Sequence, residues 1–469
     1  MLSKEEYQKQ YQKSGETLLQ AKQDPFSLHY HIMPPMGWMN DPNGLCQKDG
    51  LYHIYYQYSP FDVHGVQKLW GHYTTRDFIT YTSEEPFLYP DTIWDQNGVY
   101  SGTAFVANDT IHFFYTGNVK NLHWPDCDFI YSGRQQNTIM VTSKDGFCAS
   151  EKKLLMTNDD YPQNMTKHVR DPKVFQVGDD YYMALGARTL EGIGCVLLYR
   201  STDMQQWQYL NTLTTPQPLG YMWECPDLFE LDGEMFLVIC PMQKEAPVYQ
   251  AGYFKLDYDF ENNTYTLGDF TRLDEGFDYY APQSFKDSQG RQIQIAWMGM
   301  PQADYNNEPT VAYAWQHALT IPRVLENRNG VIYQRPIPEL KQLRKAGFTG
   351  TAADFKSADD TCFEMIVELK TDQQVQIQLR EDAFLSYGEG ILKLDISYCG
   401  QGRKTCQLSV KKLENLHIFS DTSSLEIFVN DGLHVFTTRI YSQRPFVKII
   451  QGDMAMQYYA LTQFKIKER

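Results

Sequence analysis

Short aromatic and β-branched runs recur along the chain, and their spacing constrains its fold more than any other feature. They are Tyr52-His53-Ile54-Tyr55-Tyr56, Ile111-His112-Phe113-Phe114-Tyr115, Tyr181-Tyr182-Met183-Ala184-Leu185, Met235-Phe236-Leu237-Val238-Ile239 and Ile293-Gln294-Ile295-Ala296-Trp297. They follow one another at intervals of roughly 55–70 residues, the range of propeller blades that carry insertions. Gly or Asp pairs precede most of them, as hairpin turns do. A second repeat runs alongside in Thr75-Arg76-Asp77, Ser143-Lys144-Asp145 and Ser201-Thr202-Asp203. Equivalent outer-strand turns, one per blade, would leave that pattern. The spacing predicts an all-β fold with a five-bladed β-propeller over residues 28–335. A non-repeating β-sandwich with coincidental spacing is the alternative.

Residues 1–27 read as a polar, helix-prone lead-in. Arg335-Pro336-Ile337-Pro338 followed by Glu339-Leu340-Lys341 marks a linker and short helix, placed at 336–347. Beyond it, strands alternate again, in Phe363–Leu369, Val375–Leu379 and Leu425–Val429, with a turn at Asn430-Asp431-Gly432. One polar face per strand predicts an antiparallel β-sandwich over 348–469. This tail shows no carboxylate cluster, so its expected role is structural or assisting.

Composition narrows the function classes. Aromatic residues make up 14% of the chain, with 33 Tyr and 26 Phe, which favours strands and sugar-binding surfaces over helical bundles. A formal net charge of −16 lacks the electrostatic footprint of a nucleic-acid binder. It leaves room for an anionic small substrate, which needs only a local basic pocket. The 9 Cys show neither a Cys-x-x-Cys pair nor Cys/His zinc spacing, which fits reduced thiols, no metal and no cofactor. The N-terminus, Met1-Leu2-Ser3-Lys4-Glu5-Glu6, is charged and has no apolar signal core, and no apolar run reaches membrane-spanning length. A soluble cytoplasmic protein, monomer or homodimer, without nucleic-acid or membrane partners, is the expectation.

Three short runs carry the chemistry: Trp38-Met39-Asn40-Asp41-Pro42-Asn43-Gly44, Arg170-Asp171-Pro172 and Trp223-Glu224-Cys225-Pro226. Each sets one carboxylate among Pro, Gly or aromatic residues. Three converging carboxylates suit glycosidic bond cleavage, where one acid protonates the leaving oxygen and one carboxylate attacks or steadies the sugar cation. Nearby rings would offer apolar faces to a sugar. Each run also has a plain reading. Asp-Pro-Asn-Gly is an ordinary turn sequence, Arg170-Asp171 alone reads as a surface pair, and a half-buried Glu224 as a structural hydrogen-bond partner. Cys225 could be a nucleophile, but no partner base is evident and small buried Cys is common.

Taken together, these residues resemble glycoside hydrolase family 32, which comprises invertases, fructanases and sucrose-6-phosphate hydrolases. The likeness runs from His31-Ile32-Met33-Pro34-Pro35 to Arg439-Ile440-Tyr441. Trp38 to Gly44 matches the family's sucrose-binding box without a change. Arg170-Asp171-Pro172 and Glu224-Cys225-Pro226 match its second and third motifs. Further matches are Tyr56-Gln57, Trp70-Gly71-His72, Tyr100-Ser101-Gly102, Tyr280-Ala281-Pro282-Gln283 and Trp297-Met298-Gly299-Met300, and, in the tail, Glu426 to Gly432.

The resemblance implies a propeller followed by a sandwich, and it implies roles. Asp41 would be the nucleophile on the fructosyl anomeric carbon. Glu224 would be the acid/base. Asp171 would hold sugar hydroxyls in the transition state. Asn40, Gln57, Trp70, Ser101, Arg170 and Tyr280 would line the fructose pocket, joined from the same motifs by Trp38, Met39, Tyr100 and Trp297. A retaining mechanism asks for carboxyls ~5–5.5 Å apart. It also asks that Asp41 stay ionised among donors, that Glu224 be drier and close to another negative charge, and that Arg170 help keep Asp171 ionised.

Gly220–Phe229 and the missing signal peptide resemble the branch of the family that acts on sucrose 6-phosphate. Phosphate recognition would need cations at the pocket rim, and His64, Lys68, Lys120 and Arg134 sit in suitable segments. Phe61 to Gln67 departs from the more Pro- and Trp-rich stretch usual before Trp70, and Thr103 stands where Ser is frequent. The segment from Asn118 to Gln136, with Trp124 and Cys127, is unfamiliar. A free-sucrose invertase, a short-chain fructan hydrolase and a fructosyltransferase share the chemistry. An inert sugar-binding propeller would lack one of the three carboxylates, and an interaction propeller would lack all of them.

Overall fold

The computed structural model describes every residue except 122, 124–132, 217–218, 245–248, 371–372 and 469. Trp124 and Cys127 therefore lie outside the described residues. Two short helices, Lys4–Tyr11 and Gly15–Lys22, open the chain, the first closed by a capping box between Ser3 and Glu6.

Five sheets follow, antiparallel save for parallel edge pairs on the first, led by the strands Gly37–Lys48, Val99–Ala107, Met165–Val177, Met222–Leu231 and Tyr280–Lys286. Each leading strand packs against the next, and the fifth against the first, so the sheets close round one axis as propeller blades. The five aromatic runs all fall on the second strand of a blade. That strand is covered on both faces by neighbouring blades, which is why it reads as a nearly continuous apolar run rather than a clean alternation.

The second sequence repeat is a turn between a blade's third and fourth strands. The side chains of Thr75, Ser143 and Ser201 each donate to the Asp two residues on, at 3.3, 3.2 and 3.0 Å. The next residue, Phe78, Gly146 or Met204, takes positive φ in all three.

All five leading strands slip register at the same place. The bulges fall between Met39 and Pro42, Val99 and Gly102, Arg170 and Lys173, Glu224 and Asp227, and Tyr280 and Gln283. A bulge re-aims the side chain it carries. Four of the five contain a proline, which cannot donate to a sheet ladder. The residue before it has φ of 62° at Asp171, 49° at Cys225 and 48° at Ala281. These are uncommon angles for residues with a Cβ, and only the closely packed blades can hold them.

Below the bulges, polar ties cross the axis. Lys173 Nζ lies 2.6 Å from Asp227 Oδ1 and donates to the Ser284 carbonyl at 2.7 Å, joining the third, fourth and fifth blades. Gln283 donates to the Gly102 carbonyl at 3.1 Å, and Thr103 to that of Pro172 at 2.8 Å.

A 3-10 helix, Pro338–Leu343, leads into a sandwich of a six-stranded and a five-stranded sheet. Its core includes Ile377, Leu385, Leu394, Ile418, Ile427 and Phe436. The tail does carry clustered carboxylates, contrary to the sequence expectation. His31 stands between Asp421 Oδ2 at 2.8 Å and Glu426 Oε1 at 3.0 Å, all three side chains fully buried. Arg323 of the fifth blade also reaches Glu426 at 2.6 Å. The partners come from the propeller, so the cluster exists only once the two layers meet. The last strand, Lys465–Glu468, placed with the sandwich on sequence grounds, pairs in parallel with Thr80–Leu88 of the first blade.

Candidate active site

The five bulges bring side chains from all five blades to one end of the axis. Asp41 comes from the first, Ser101 from the second, Arg170 and Asp171 from the third, Glu224 and Cys225 from the fourth and Tyr280 from the fifth. Asp41 sits among donors, as expected. Asn40 Nδ2 donates to its Oδ1 at 2.9 Å, and Gln57 Nε2 to its Oδ2 at 3.3 Å, while the Ser101 hydroxyl donates to the same Oδ2. Asn40 is itself fixed through Oδ1, which accepts from Trp38 Nε1 at 2.7 Å and Lys68 Nζ at 2.6 Å. This orientation turns the Asn40 amide hydrogens toward Asp41 and Gln57.

Glu224 accepts from two sides. Arg170 Nη2 donates to Oε1 at 2.6 Å, and the Tyr280 hydroxyl donates to Oε2 at 2.6 Å. Arg170 is held from behind by His168 Nδ1 at 2.6 Å and Gln136 Oε1 at 3.3 Å. Asp171 accepts from the backbone amide of Cys225 at 2.9 Å, with Arg170 Nε 3.9 Å away.

The electrostatics differ from the expected split. Burial raises the Asp41 carboxyl, against the lowering pull of Ser101, Asn40 and Lys68. Burial raises Asp171 further, to about 7, with Glu224 and Asp41 adding to the rise and Arg170 opposing it. The dry carboxylate beside other negative charge, expected at Glu224, is thus Asp171. The physical reason is position. Asp171 lies deep in its bulge with a 6% exposed side chain, whereas that of Glu224 is 18% exposed between two donors. Arg170 does not hold Asp171 in the usual range, because its shortest bonds go to Glu224 and His168.

Cys225 lies between the acids, with Sγ 3.6 Å from Asp171 Oδ2 and 3.9 Å from Asp41 Oδ2. A hydrogen bond with Cys240, burial and Asp171 hold its thiol well above the usual value. It is therefore a neutral donor and no thiolate nucleophile.

The aromatic wall is built from Trp38, Trp297 and Tyr280. Trp297 lies 5.9 Å from Trp38 and 6.3 Å from Tyr280 by ring centroids. His317, which no sequence signal marked, packs edge-on to Trp38 at 4.3 Å. Tyr100 is half-buried at the edge of its bulge. Two expected sugar contacts are not brought into the site. Met39 is fully buried in the first blade's apolar core with Tyr30 and Ile32, since alternation along the strand turns it away from Asn40. Trp70 is fully buried among Tyr55, Phe113 and Tyr115, and its Nε1 donates to the Tyr100 carbonyl at 3.1 Å. It supports the Ser101 bulge instead of presenting a face. His168 and Gln136 were missed by sequence reasoning. His168 could have been found, because it stands two residues before Arg170 on one strand and so shares its face. Among the described residues, no group of His, Cys, Asp and Glu is arranged to hold a metal ion, and no helix is long and apolar enough to cross a membrane.

Comparison with known proteins bears on this geometry. Residues 31–336 match the glycosyl hydrolases family 32 N-terminal domain, and residues 341–457 match the family's C-terminal domain. A sucrose-6-phosphate hydrolase of Bacillus subtilis is 37% identical over 442 residues, covering 90% of each chain. The structure of a sucrose-6-phosphate hydrolase from Lactobacillus gasseri superposes with a TM-score of 0.87 at 27% identity, covering 96% of each chain. A mutant β-fructofuranosidase of Bombyx mori, solved in complex with sucrose, superposes with a TM-score of 0.83 at 26% identity, covering 97% of this chain and 98% of that one.

Proposed function

The chain belongs to glycosyl hydrolase family 32, and on that footing we propose that it hydrolyses the fructosyl bond of sucrose 6-phosphate with retention of configuration. The observation that carries this reading is the convergence of Asp41, Asp171 and Glu224 from three blades onto one end of the propeller axis. Each has a different set of partners. Asp41 has three amide and hydroxyl donors, which suits a nucleophile that must present one oxygen to the anomeric carbon. Glu224 has Arg170 and Tyr280 to orient it for two proton transfers, first to the leaving oxygen and then from water. Asp171 has one backbone donor and a neutral thiol, which leaves an oxygen to bond sugar hydroxyls as positive charge grows on the ring.

In the first step, Asp41 displaces the glucosyl oxygen as Glu224 protonates it, giving a fructosyl ester on Asp41. In the second, water activated by Glu224 attacks the same carbon and frees the Asp41 carboxylate. The phosphorylated substrate is favoured over free sucrose because the Bacillus subtilis and Lactobacillus gasseri relatives are named sucrose-6-phosphate hydrolases. This reading places the enzyme inside the cell, where phosphorylated sucrose is met. A fructosyltransferase would share the first step and differ only in the acceptor.

The test compares kcat/KM on sucrose 6-phosphate and sucrose, with the first-formed anomer of fructose followed by NMR and Asp41→Asn as control. Preference for the phosphorylated sugar with β-fructose formed first supports the reading. Equal use of sucrose would move the assignment to an invertase. First-formed α-fructose would overturn the double displacement. Fructosyl oligosaccharides as the main product at high sucrose would favour transfer.

A further inference from the structure

Residues 61–67, which depart from the family's usual stretch before Trp70, form a closed loop. Asp62 Oδ1 accepts from the backbone amides of His64 at 2.8 Å and Val66 at 3.1 Å, and the Ser59 hydroxyl donates to the Gln67 carbonyl at 2.8 Å. His64 itself stays exposed. Gly65 takes a φ of 70° and lies against Trp38. A Cβ there would come within 2.9 Å of Trp38 Nε1 and 2.7 Å of Lys68 Nζ. The missing side chain at 65 thus leaves room for an ammonium group beside the indole. Lys68 Nζ lies 5.1 Å from the Trp38 ring centroid, a cation–π distance. The Lys68 carbonyl accepts from the Val99 amide at 2.9 Å, so its backbone is fixed between the first and second blades.

An ammonium group carries three donors. Among the described residues, Lys68 uses one of them, on Asn40 Oδ1 at 2.6 Å. That bond is not needed to orient Asn40, because Trp38 Nε1 already donates to the same oxygen at 2.7 Å. Holding a charge in such a place is costly. Burial pulls the Lys68 ammonium down to about 8, with Asp41 and Asp62 opposing the fall and Lys120 adding to it. Lys68 is only half-buried, and two donors are left for a ligand.

The side of the site says which ligand. Asn40 donates to Asp41 Oδ1 at 2.9 Å, so Lys68 stands one amide away from the nucleophile. The nucleophile attacks the fructosyl carbon, whereas the acid meets the leaving oxygen. Groups clustered round Asp41 therefore border the fructosyl unit, and groups round Glu224 border the departing sugar. Trp70, expected among the fructosyl contacts, is buried behind the Ser101 bulge and leaves that side short of a donor. We propose that Lys68 is a specificity-determining contact for the transferred sugar, donating to a hydroxyl of the fructosyl unit beside Asp41. This rests on the reaction proposed above. A site built to bond a substrate hydroxyl rejects the analogue that lacks it, since the donor is then left unpaired.

The experiment measures Kd for fructose, for each monodeoxy fructose and for glucose by calorimetry at about pH 6.5, where Lys68 is protonated, alongside kcat and KM on sucrose. The proteins are the wild type, Lys68→Met, Lys68→Gln and Gly65→Ala. The expected result is a rise of about 10- to 30-fold in the fructose Kd of Lys68→Met, with the glucose Kd unchanged. One monodeoxy fructose should bind the wild type about tenfold more weakly than fructose does, and bind Lys68→Met no more weakly than fructose does, which names the hydroxyl. Lys68→Gln, which keeps a donor without the charge, should lose less, so the test stands if the apolar variant folds poorly. Gly65→Ala, which drives the ammonium aside, should shift the fructose Kd the same way. A fall in kcat of Lys68→Met with the fructose Kd unchanged would overturn the contact and make Lys68 a positioning residue for Asn40. Equal rises for fructose and glucose, or no coupling to any monodeoxy fructose, would overturn it too. A wild type that cleaves no fructoside would overturn both this contact and the reaction, whereas normal turnover with an uncoupled Lys68 would overturn the contact alone.

Discussion

Arg170 Nη2 lies 2.6 Å from Glu224 Oε1, so the cation of the third blade is bonded to the acid of the fourth and not to its own neighbour Asp171. The side chain is 7% exposed, and a charge-assisted bond in such a setting fixes both partners. Replacing Arg170 by Met leaves Glu224 with Tyr280 alone and leaves His168 facing the gap. The expected outcome is a fall in kcat of about 10²- to 10³-fold, from misplacement of the acid. Steady-state kinetics on sucrose, with circular dichroism to confirm folding, checks it.

Glu224→Gln removes proton transfer but keeps the shape of the site. Hydrolysis of sucrose should fall by about 10³-fold or more, while an aryl fructoside, whose leaving group needs no proton, should lose far less in the first step. Added azide should then release the enzyme-bound fructosyl group. Equal losses on both substrates would remove Glu224 from the acid role.

Lys68 lowers the Asp41 carboxyl, which burial raises. Lys68→Met removes that opposing charge, so Asp41 takes its proton at higher pH. The acid limb of the kcat/KM profile should therefore move toward higher pH, with the slope unchanged. An acid limb that stays in place would show that Asp41 is not the group that sets it.

His31 joins the two layers through Asp421 and Glu426, and its pKa is raised by these two partners against burial. Asp421 and Glu426 are both lowered, against burial, by bonds that include His31, with Arg323 the leading cause at Glu426. The signs define a window. The His31 contribution is full below its unfolded value near ~6.5 and fades as pH rises through the raised folded value. The carboxylate contribution is full above their unfolded values near ~4 and is lost as pH falls toward the lowered ones. Asp421→Asn leaves His31 and the three backbone donors of His29, Tyr30 and Thr422 short of a charge, at a cost of about 3–5 kcal/mol. Denaturant melts at pH 5.5 and pH 8.5 should show the larger loss at the lower pH, as linkage requires.

Gly186 lies where the third blade meets the fourth. A Cβ there would come within 2.2 Å of the Trp223 carbonyl oxygen, one residue from Glu224. Because the obstacle is backbone, Gly186→Ala must push the fourth leading strand aside. A loss of about 1–3 kcal/mol in stability is expected, together with a fall in kcat that Gly→Ala at the open Gly178 does not produce.

The repeat of aromatic runs, the Ser/Thr-x-Asp turns and the three carboxylate motifs are all legible in the sequence. Each is a local pattern with a local cause. An apolar run marks a strand covered on both faces, a hydroxyl and a carboxylate two residues apart close a turn, and a proline marks a break in the ladder. A proline follows Asp41, Asp171, Cys225 and Ala281, but that these prolines sit at bulges of common height round the axis showed only in the fold.

Met39, Trp70 and the tail carboxylates were misread for one reason. Membership in a motif says that a residue is near the site, not which way its side chain points or what closes over it. Met39 is turned away by strand alternation, and Trp70 is buried by a neighbouring blade. Asp421 and Glu426 look like scattered surface charges until His31 and Arg323 arrive from the propeller. The sequence by itself determined the strands, the turns and the motifs that carry the three carboxylates, because these follow from bonds and packing within a few residues. Only the tertiary structure decided that Arg170 would serve Glu224 and that Asp171 would be the driest of the three. Those outcomes depend on burial and on charges from different blades, and both exist only after the ring has closed.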